Sequence, residues 1–367
     1  MKRYFLGLAA NYSREERLAH TFTRGRKEDL RDLENFLTRK YGGRRTILTK
    51  NGRSALTLAL KAYFDEGDKI IVNGFTCYAV YEAITAAGLV PVFTDINLKD
   101  LNFSVKELEK VKDKKAKGII IQNTLGNPVD ITAIETFTKE NNLTIIEDLA
   151  HSAGVKYPDG REAGTVGVAT VLSFGKDKSI DTISGGAVVL RSPSDNPIKA
   201  PRKTPKISDY FRSRLYPTFG AMARVLTHVH LGGILMRMLV KIHWVERSAD
   251  NRLDLERKIC KFEAARALPQ IKSLTYGGEK PLREFCFVKN RQEVLNKLKA
   301  AGFYFDGFWY EKPVSPKRYY DKVDFPEQDC ENAVYAANHI INLPTYYRKK
   351  DLEPARKIIA EYLEVKK

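Results

Sequence analysis

Residues 143–151 read L-T-I-I-E-D-L-A-H, a short apolar run that ends in two acids and is followed by a histidine. Buried strands of open α/β sheets show such runs, and their ligands bind beyond the carboxyl ends of the strands. We therefore expect Glu147 and Asp148 at the edge of a ligand site, with His151 on the next turn. A metal ligand or a helix cap is the alternative for either acid, and a lone histidine is more often structural.

Apolar runs and helical patterns alternate on both sides of this stretch. The runs occupy 69–72, 90–93, 118–121 and 143–146, and the helical patterns occupy 55–64, 79–87 and 131–141. This alternation predicts a parallel sheet with crossover helices, against which a helix over 27–40 packs. Runs at 168–174 and 186–190 predict two more strands, joined by a polar loop that contains Lys176 and Lys178. We expect a large domain over 1–250 and a smaller α+β domain over 251–367, beginning with a helix at 254–272.

The composition limits the classes of partner. The chain has 367 residues and a formal net charge of +17, which favours polyanions: nucleotide diphosphates, nucleic acid or anionic lipid. No basic and aromatic stripe of a nucleic-acid module is visible, so nucleic acid is not expected. The four cysteines form no C-x-x-C pair, and the apolar stretch after Met1 is short for a secretion signal. We expect a cytoplasmic protein without a metal site.

The stretch from about 200 to 247 is an unusual insertion. Residues 193–208 are rich in proline and basic residues and predict a linker. Residues 210–244 mix apolar and basic side chains, and Gly232-Gly233 is expected to divide them into two amphipathic pieces. Charges interrupt this stretch too often for a spanning helix. Packing against the body of the protein or a dimer partner is the favoured interpretation, and contact with a membrane surface is the alternative.

Two further local signals are weak when taken singly. N-G-R-S at 51–54 opens a helix, so it can hold a phosphate or serve only as a cap. Either lysine of the 175–185 loop could be desolvated and attack an aldehyde, although most lysines of so basic a chain are solvated. Their order along the chain is more informative than either signal alone.

That order resembles the DegT and StrS group of sugar aminotransferases, within the pyridoxal phosphate (PLP) fold class that includes aspartate aminotransferase. The motifs are N-G-R-S-A-L (51–56), I-I-E-D-L-A-H-S-A-G (145–154), S-F-G-K-D-K (173–178) and G-G-A-V-V (185–189). The resemblance runs from about 27 to 192 and resumes at 259–271, 324–333 and 343–344.

The resemblance implies a three-layer αβα large domain, a smaller C-terminal domain and a PLP site. Lys178, four residues after Phe174, matches the lysine that binds PLP as a Schiff base, whereas Lys176 fits neither motif interval. Asp148 matches the acid that pairs with the pyridine nitrogen, and His151 matches a residue that contacts the ring's 3-oxygen. The implied phosphate cradle consists of Gly52, Arg53 and Ser173.

Two positions depart from the family pattern. Cys77 stands where many relatives place an aromatic ring on the cofactor face, so the stacking residue is open and Cys77 is a candidate cofactor contact. Relatives form homodimers in which a partner residue reaches the phosphate, and Asn251 and Arg252 are the candidates here.

The function implied is ping-pong transfer of an amino group from an amino acid, glutamate by resemblance, to a nucleotide-linked keto-sugar. Cys77 motivates an alternative, a PLP-dependent lyase or desulfurase. Some relatives replace the lysine by histidine and are dehydratases, and Lys178 argues against that branch. The charge and the 210–244 segment motivate a third hypothesis, a non-catalytic membrane-surface or nucleic-acid binding protein that reuses the fold.

Overall fold

The computed structural model describes residues 4–6, 12–194, 196–226, 234, 238, 239, 241, 253–274, 281–305 and 309–364. Asn251, Arg252 and the Gly232-Gly233 pair lie outside these ranges. The strands are β1 Tyr4–Phe5, β2 Arg45–Thr49, β3 Lys69–Asn73, β4 Thr76–Cys77, β5 Val90–Thr94, β6 Gly118–Ile121, β7 Thr144–Asp148, β8 Ala169–Ser173, β9 Gly186–Leu190, β10 Arg283–Phe287, β11 Phe303–Tyr304, β12 Val314–Ser315 and β13 Ile340–Pro344. The α-helices are α1 Arg14–Phe22, α2 Lys27–Lys40, α3 Gly52–Tyr63, α4 Tyr78–Ala86, α5 Val105–Glu109, α6 Ile131–Glu140, α7 Ile207–Leu226, α8 Lys261–Ser273, α9 Arg291–Ala300, α10 Glu331–His339 and α11 Lys349–Ala360.

A seven-stranded sheet in the order β2-β9-β8-β7-β6-β3-β5 forms the centre of the fold. The expected α/β sheet is confirmed, but it is mixed, because β9 is antiparallel to both β2 and β8. The loop between β8 and β9 contains no crossover helix, and a direct return of the chain gives an antiparallel pair. Strands β2, β7 and β8 therefore end at the edge where β9 begins.

Helices cover both faces of this sheet. Successive strand residues point to opposite faces, so Ile70 and Val72 pack in one core with α3 and α4, while Ile71 packs in another. That second core contains Leu33 of α2 and Ala264 of α8. The predicted three-layer αβα arrangement is confirmed.

The C-terminal part has a separate apolar core. Strands β10 and β13 pair in an antiparallel ribbon, and Val294 of α9 and Leu352 of α11 pack with Ile341. Leu6 from the N-terminal segment is fully buried in the same core. The expected division at 250/251 stays a prediction.

The helix predicted over 254–272 begins only at Lys261, so the prediction is wrong for its first turns. Cys260 is extended (φ −75°, ψ 146°), and its N–H donates to the Glu263 carboxylate at 2.9 Å. A side chain that reaches back to the residue before the helix fixes the start of that helix. Arg257 instead bonds Asp209 and Asp254, both at 2.8 Å.

Helix α7 forms the first part of the insertion and packs on α1. Tyr216 and Ala223 are buried, and the Arg214 guanidinium donates to the carbonyl oxygens of His20 and Thr23 at 3.4 and 2.7 Å. In the part of the chain that the structure describes, every helix is too short or too polar to cross a bilayer.

Candidate active site

Lys178 lies on the loop between β8 and β9, at the edge of the sheet where the parallel strands end. Its amine is 4.4 Å from the centre of the Trp309 ring. Burial lowers the pKa of Lys178, and the nearby Cys77, Asp148 and Asp177 oppose this shift only in part. A lowered pKa leaves more of the amine neutral, which is the state that can act as a nucleophile or accept a proton.

Lys176, only two residues away, has a different environment. Its amine lies 4.0 Å from the centre of the Tyr216 ring on α7, and the residue lines a separate cavity with Lys50 and Arg212. The loop therefore directs its two lysines to different places, and Lys178 is the one beside the acid of β7.

The two acids at the end of β7 have different surroundings because neighbouring residues of a strand face opposite sides. Glu147 is a structural acceptor with four donors at 2.7–2.8 Å: the Tyr157 hydroxyl and the N–H groups of Gly164, Val166 and Gly167. Asp148 accepts the Ala150 N–H at 3.0 Å, and the charge of Lys178 acts on it. Burial raises the pKa of Asp148, while Ala150 and Lys178 favour its ionised form.

His151 is buried in the same site, and its protonation state follows from one contact. The Leu125 N–H lies 3.2 Å from Nδ1, so Nδ1 accepts and a neutral ring carries its proton on Nε2. Burial lowers the pKa of His151 well below its usual range, and the charges of Lys178 and Arg283 lower it further. His151 can therefore donate from Nε2 to a neighbouring oxygen.

The start of α3 lies against the end of β8 and leaves no room for side chains. A Cβ on Gly52 would be 2.6 Å from Ser173 Cβ, and one on Gly186 would be 2.6 Å from the Asn51 carbonyl carbon. Asn51 Oδ1 caps the helix by accepting the Ser54 N–H at 2.8 Å, whereas the buried Asn51 Nδ2 has no hydrogen-bond acceptor among the described residues. The structure thus brings Gly52 and Ser173 together, as expected of a cradle.

Arg53 and Cys77 have contacts that differ from those of a simple phosphate or ring contact. The buried Arg53 side chain forms an ion pair with Glu82 of α4, so only its backbone stays at the start of α3. Cys77 lies close enough to Lys178 and Tyr310 to interact electrostatically with both. The neighbouring Tyr78 instead stacks on Tyr319, with ring centroids 4.5 Å apart.

Three residues of this site were missed by sequence reasoning. Trp309 lies 4.6 Å from His151 between ring centroids, Tyr310 contacts Phe75 edge-on at 5.1 Å, and both are about 5% exposed. Arg283 at the start of β10 is buried and acts electrostatically on His151. The F-W-Y run at 308–310 was the one signal in the sequence for the two aromatic residues. It lies far from Lys178 along the chain, and no local pattern connects the two.

These residues fit PLP. A buried carboxylate suits a protonated ring nitrogen, a desolvated lysine suits an aldehyde, and a donor on His151 suits the ring oxygen. The close backbone approach at Gly52 and the unpaired Asn51 Nδ2 suit a phosphate. In the described ranges, no three His, Cys, Asp or Glu side chains gather as a metal site requires.

Comparisons with known proteins point the same way. The sequence profile of the DegT/DnrJ/EryC1/StrS aminotransferase family matches residues 12–199. GDP-perosamine synthase of Escherichia coli O157:H7 is 34% identical over 47% of this chain and 48% of its own length. GDP-4-keto-6-deoxy-D-mannose 3-dehydratase of Yersinia pseudotuberculosis is 30% identical over 47% of this chain and 44% of its own length. The chain thus spans about half the length of the curated relatives it matches.

Solved structures extend the similarity to nearly the whole chain. A DegT DnrJ EryC1 StrS aminotransferase from Brucella abortus has a TM-score of 0.67 at 20% identity, covering 95% of both chains. An aminotransferase from Psychrobacter cryohalolentis gives a TM-score of 0.67 at 17% identity, covering 97% of this chain and 98% of its own. At these identities the likeness concerns the fold.

Proposed function

The chain belongs to the DegT/DnrJ/EryC1/StrS aminotransferase family, and on that premise we propose that it transfers an amino group to a nucleotide-linked keto-sugar with PLP held by Lys178. The observation that carries this proposal is the grouping of Lys178 with Asp148 and His151 at one edge of the sheet. The names of the matched relatives, which act on or make GDP-linked sugars, support the acceptor class.

Lys178 would move the proton. When PLP is bound, its ring withdraws electrons from the carbon that carries the amino group. The Lys178 amine, whose pKa is lowered, would take a proton from that carbon and return it to the aldehyde carbon of PLP. The buried Trp309 ring covers the amine and excludes water, so the lysine remains desolvated.

The other residues would hold charge and orientation. Burial raises the pKa of Asp148. A cationic ring nitrogen beside it would oppose this shift and keep the carboxylate ionised. His151, held by the Leu125 N–H, would donate from Nε2 to the ring oxygen. The helix start at Gly52, with Ser173 and Asn51, would bind the phosphate.

One lysine would serve both halves of the reaction. The donor, glutamate by family resemblance, would leave as its keto acid before the keto-sugar enters, which gives ping-pong kinetics. A homodimer, a cytoplasmic location and a phosphate contact from Asn251 or Arg252 of the partner subunit belong to the same proposal.

The test is an amino-transfer assay with two matched variants. Purified protein with PLP and glutamate is given GDP-4-keto-6-deoxy-D-mannose and other nucleotide-linked keto-sugars, and products are identified by mass spectrometry. We expect an aminated nucleotide sugar from the wild type and Lys176→Ala, and none from Lys178→Ala. Equal activity of Lys178→Ala, or no aminated product from any acceptor, would refute the proposal.

Elimination is the second candidate, because one matched relative is a 3-dehydratase. Release of water from the sugar without incorporation of nitrogen would favour it. Lys178, which in transamination must carry the proton between two carbons, supports the transaminase.

A further inference from the structure

The exposed large apolar side chains of the described residues are concentrated in one region. Of the eleven, eight belong to α1 or to the span 207–238: Leu18, Phe22, Ile207, Phe211, Met222, Val225, Ile234 and Met238. Single exposed apolar residues are common on protein surfaces, but clusters of them indicate an interaction surface.

The positions in α7 share one face. Each residue turns an α-helix by about 100°, which places Ile207, Phe211, Met222 and Val225 within about 60° of one another. They are 76%, 51%, 48% and 68% exposed, and we call them the apolar strip. The buried residues of the helix, among them Ser213, Tyr216 and Ala223, lie on the opposite side. The strip is therefore a second apolar face, which is exposed towards both ends of α7 and is interrupted by Arg214 where the helix packs on α1.

Helix α1 borders this strip. Arg214, about 20° from the direction of Ile207 and Val225, donates to the Thr23 carbonyl just after α1 ends. Leu18 and Phe22, four residues apart on one face of α1, are 48% and 70% exposed.

The sequence around the strip is strongly basic. Residues 199–241 contain nine Lys or Arg and a single acid, Asp209, which Arg257 already binds at 2.8 Å. Lys199, Arg202 and Lys206 are exposed immediately before α7, and Arg24 is exposed just after α1. In a two-fold contact between identical chains the same surface meets itself, so these cations would repel one another. An anionic lipid surface offers both an apolar interior and the opposite charge.

We propose that the apolar strip and the basic residues beside it bind the protein to an anionic phospholipid surface. Helix α7 lies in the plane of the interface, its apolar strip among the acyl chains and its cations at the headgroups. This surface is distinct from the Lys178 site, and lipid binding would not require amino transfer.

Vesicle sedimentation tests the proposal. Full-length protein is mixed with vesicles of phosphatidylcholine alone or of phosphatidylcholine with phosphatidylglycerol, at low and high salt. We expect pelleting with the anionic vesicles at low salt, and less of it with neutral vesicles or at high salt, where charges are screened. The variant Phe211→Asp/Val225→Asp should partition roughly tenfold more weakly, because two apolar anchors are lost and charges of the wrong sign are added.

Leu363→Asp, at an apolar residue 48% exposed outside this region, is the matched control and should pellet like the wild type. All variants should still carry PLP on Lys178, which separates lipid binding from misfolding and from failure of the proposed function. Absence of lipid-dependent pelleting would overturn the proposal. So would conversion of a dimer to a monomer by Phe211→Asp/Val225→Asp with pelleting unchanged, since the strip would then bind a second copy of the chain.

Discussion

Glu147 and Asp148 are neighbours in sequence but have different contacts. Replacing either carboxylate by its amide should therefore affect a different property: the reaction rate for Asp148 and the stability for Glu147. Asp148→Asn should lower the amino-transfer rate roughly 100-fold or more, because a charge that stabilises the reacting ring is lost, with little change in the unfolding midpoint. Glu147→Gln should instead cost about 3 kcal/mol of stability, because its amide would face N–H groups that need an acceptor. Steady-state kinetics and thermal unfolding of both variants separate the two effects. Loss of stability in Asp148→Asn alone would contradict this assignment.

At the residue scale, the sequence analysis predicted one site from Lys178, Asp148, His151, Gly52 and Ser173. The structure places Lys178 near Asp148 and His151, and Gly52 against Ser173, where β7 and β8 end. The ends of the parallel strands indicated the edge of the sheet where ligands bind, and the family resemblance selected these residues within it. Neither approach could find Trp309, Tyr310 or the buried Arg283. They come from distant parts of the chain, and only tertiary packing brings them to the lysine. The pairing of the Arg53 side chain with Glu82 had no local signal either.

The start of α3 can be tested through its lack of space. Gly52→Ala would place a Cβ 2.6 Å from Ser173 Cβ, so the helix start must move away from β8. We expect about a tenfold loss of PLP affinity, measured by titration of the apoprotein, because a small misplacement weakens several phosphate contacts together. Ser173→Gly removes the obstructing atom but also a predicted phosphate contact, so the double variant Gly52→Ala/Ser173→Gly should lose less affinity than the two single variants lose together. Strictly additive losses would mean that the close contact is not the cause.

Helix α8 predicts a pH dependence of stability. Burial raises the pKa of Glu263 to about 7, Asp209 adds to the shift, and hydrogen bonds from Ser184 and the Cys260 N–H oppose it. In the unfolded chain a glutamate titrates near ~4.3. Between these values the folded state binds more protons than the unfolded state, so stability should fall as pH rises from about 4 to about 7, by about 3 kcal/mol.

Denaturant unfolding at pH 5 and pH 8 measures this effect. Glu263→Gln, which cannot ionise, should lose less stability between the two pH values than the wild type does. Glu109→Gln, at a half-exposed position of α5, is the control and should keep the wild-type difference. An unchanged difference in Glu263→Gln would show that Glu263 is ionised in the folded protein at pH 5.

At the scale of the whole molecule, the periodicity of apolar runs predicted a sheet with crossover helices and the family resemblance predicted its three layers, but neither predicted the direction of every strand. The direction of β9 is set by the loop 174–185, which brings the chain directly back beside β8. The apolar run 186–190 gives no sign of this, because it fits a parallel and an antiparallel strand equally well. The residues from 254 onward are compatible with a helix. Helix α8 nevertheless begins only at Lys261, because the Glu263 carboxylate accepts the Cys260 N–H. Likewise, the second apolar face of α7 became visible only when the buried face was known.

Chemical trapping of the cofactor tests the central claim, that Lys178 is the lysine which holds PLP. The protein is incubated with PLP, reduced with borohydride and digested, and the peptides are sequenced by mass spectrometry. In the wild type, we predict a phosphopyridoxyl group on Lys178 and none on Lys176. In Lys178→Ala, the peptide that contains Asp177 should carry no such group. Label on Lys176, label spread over surface lysines, or no label at all would contradict it.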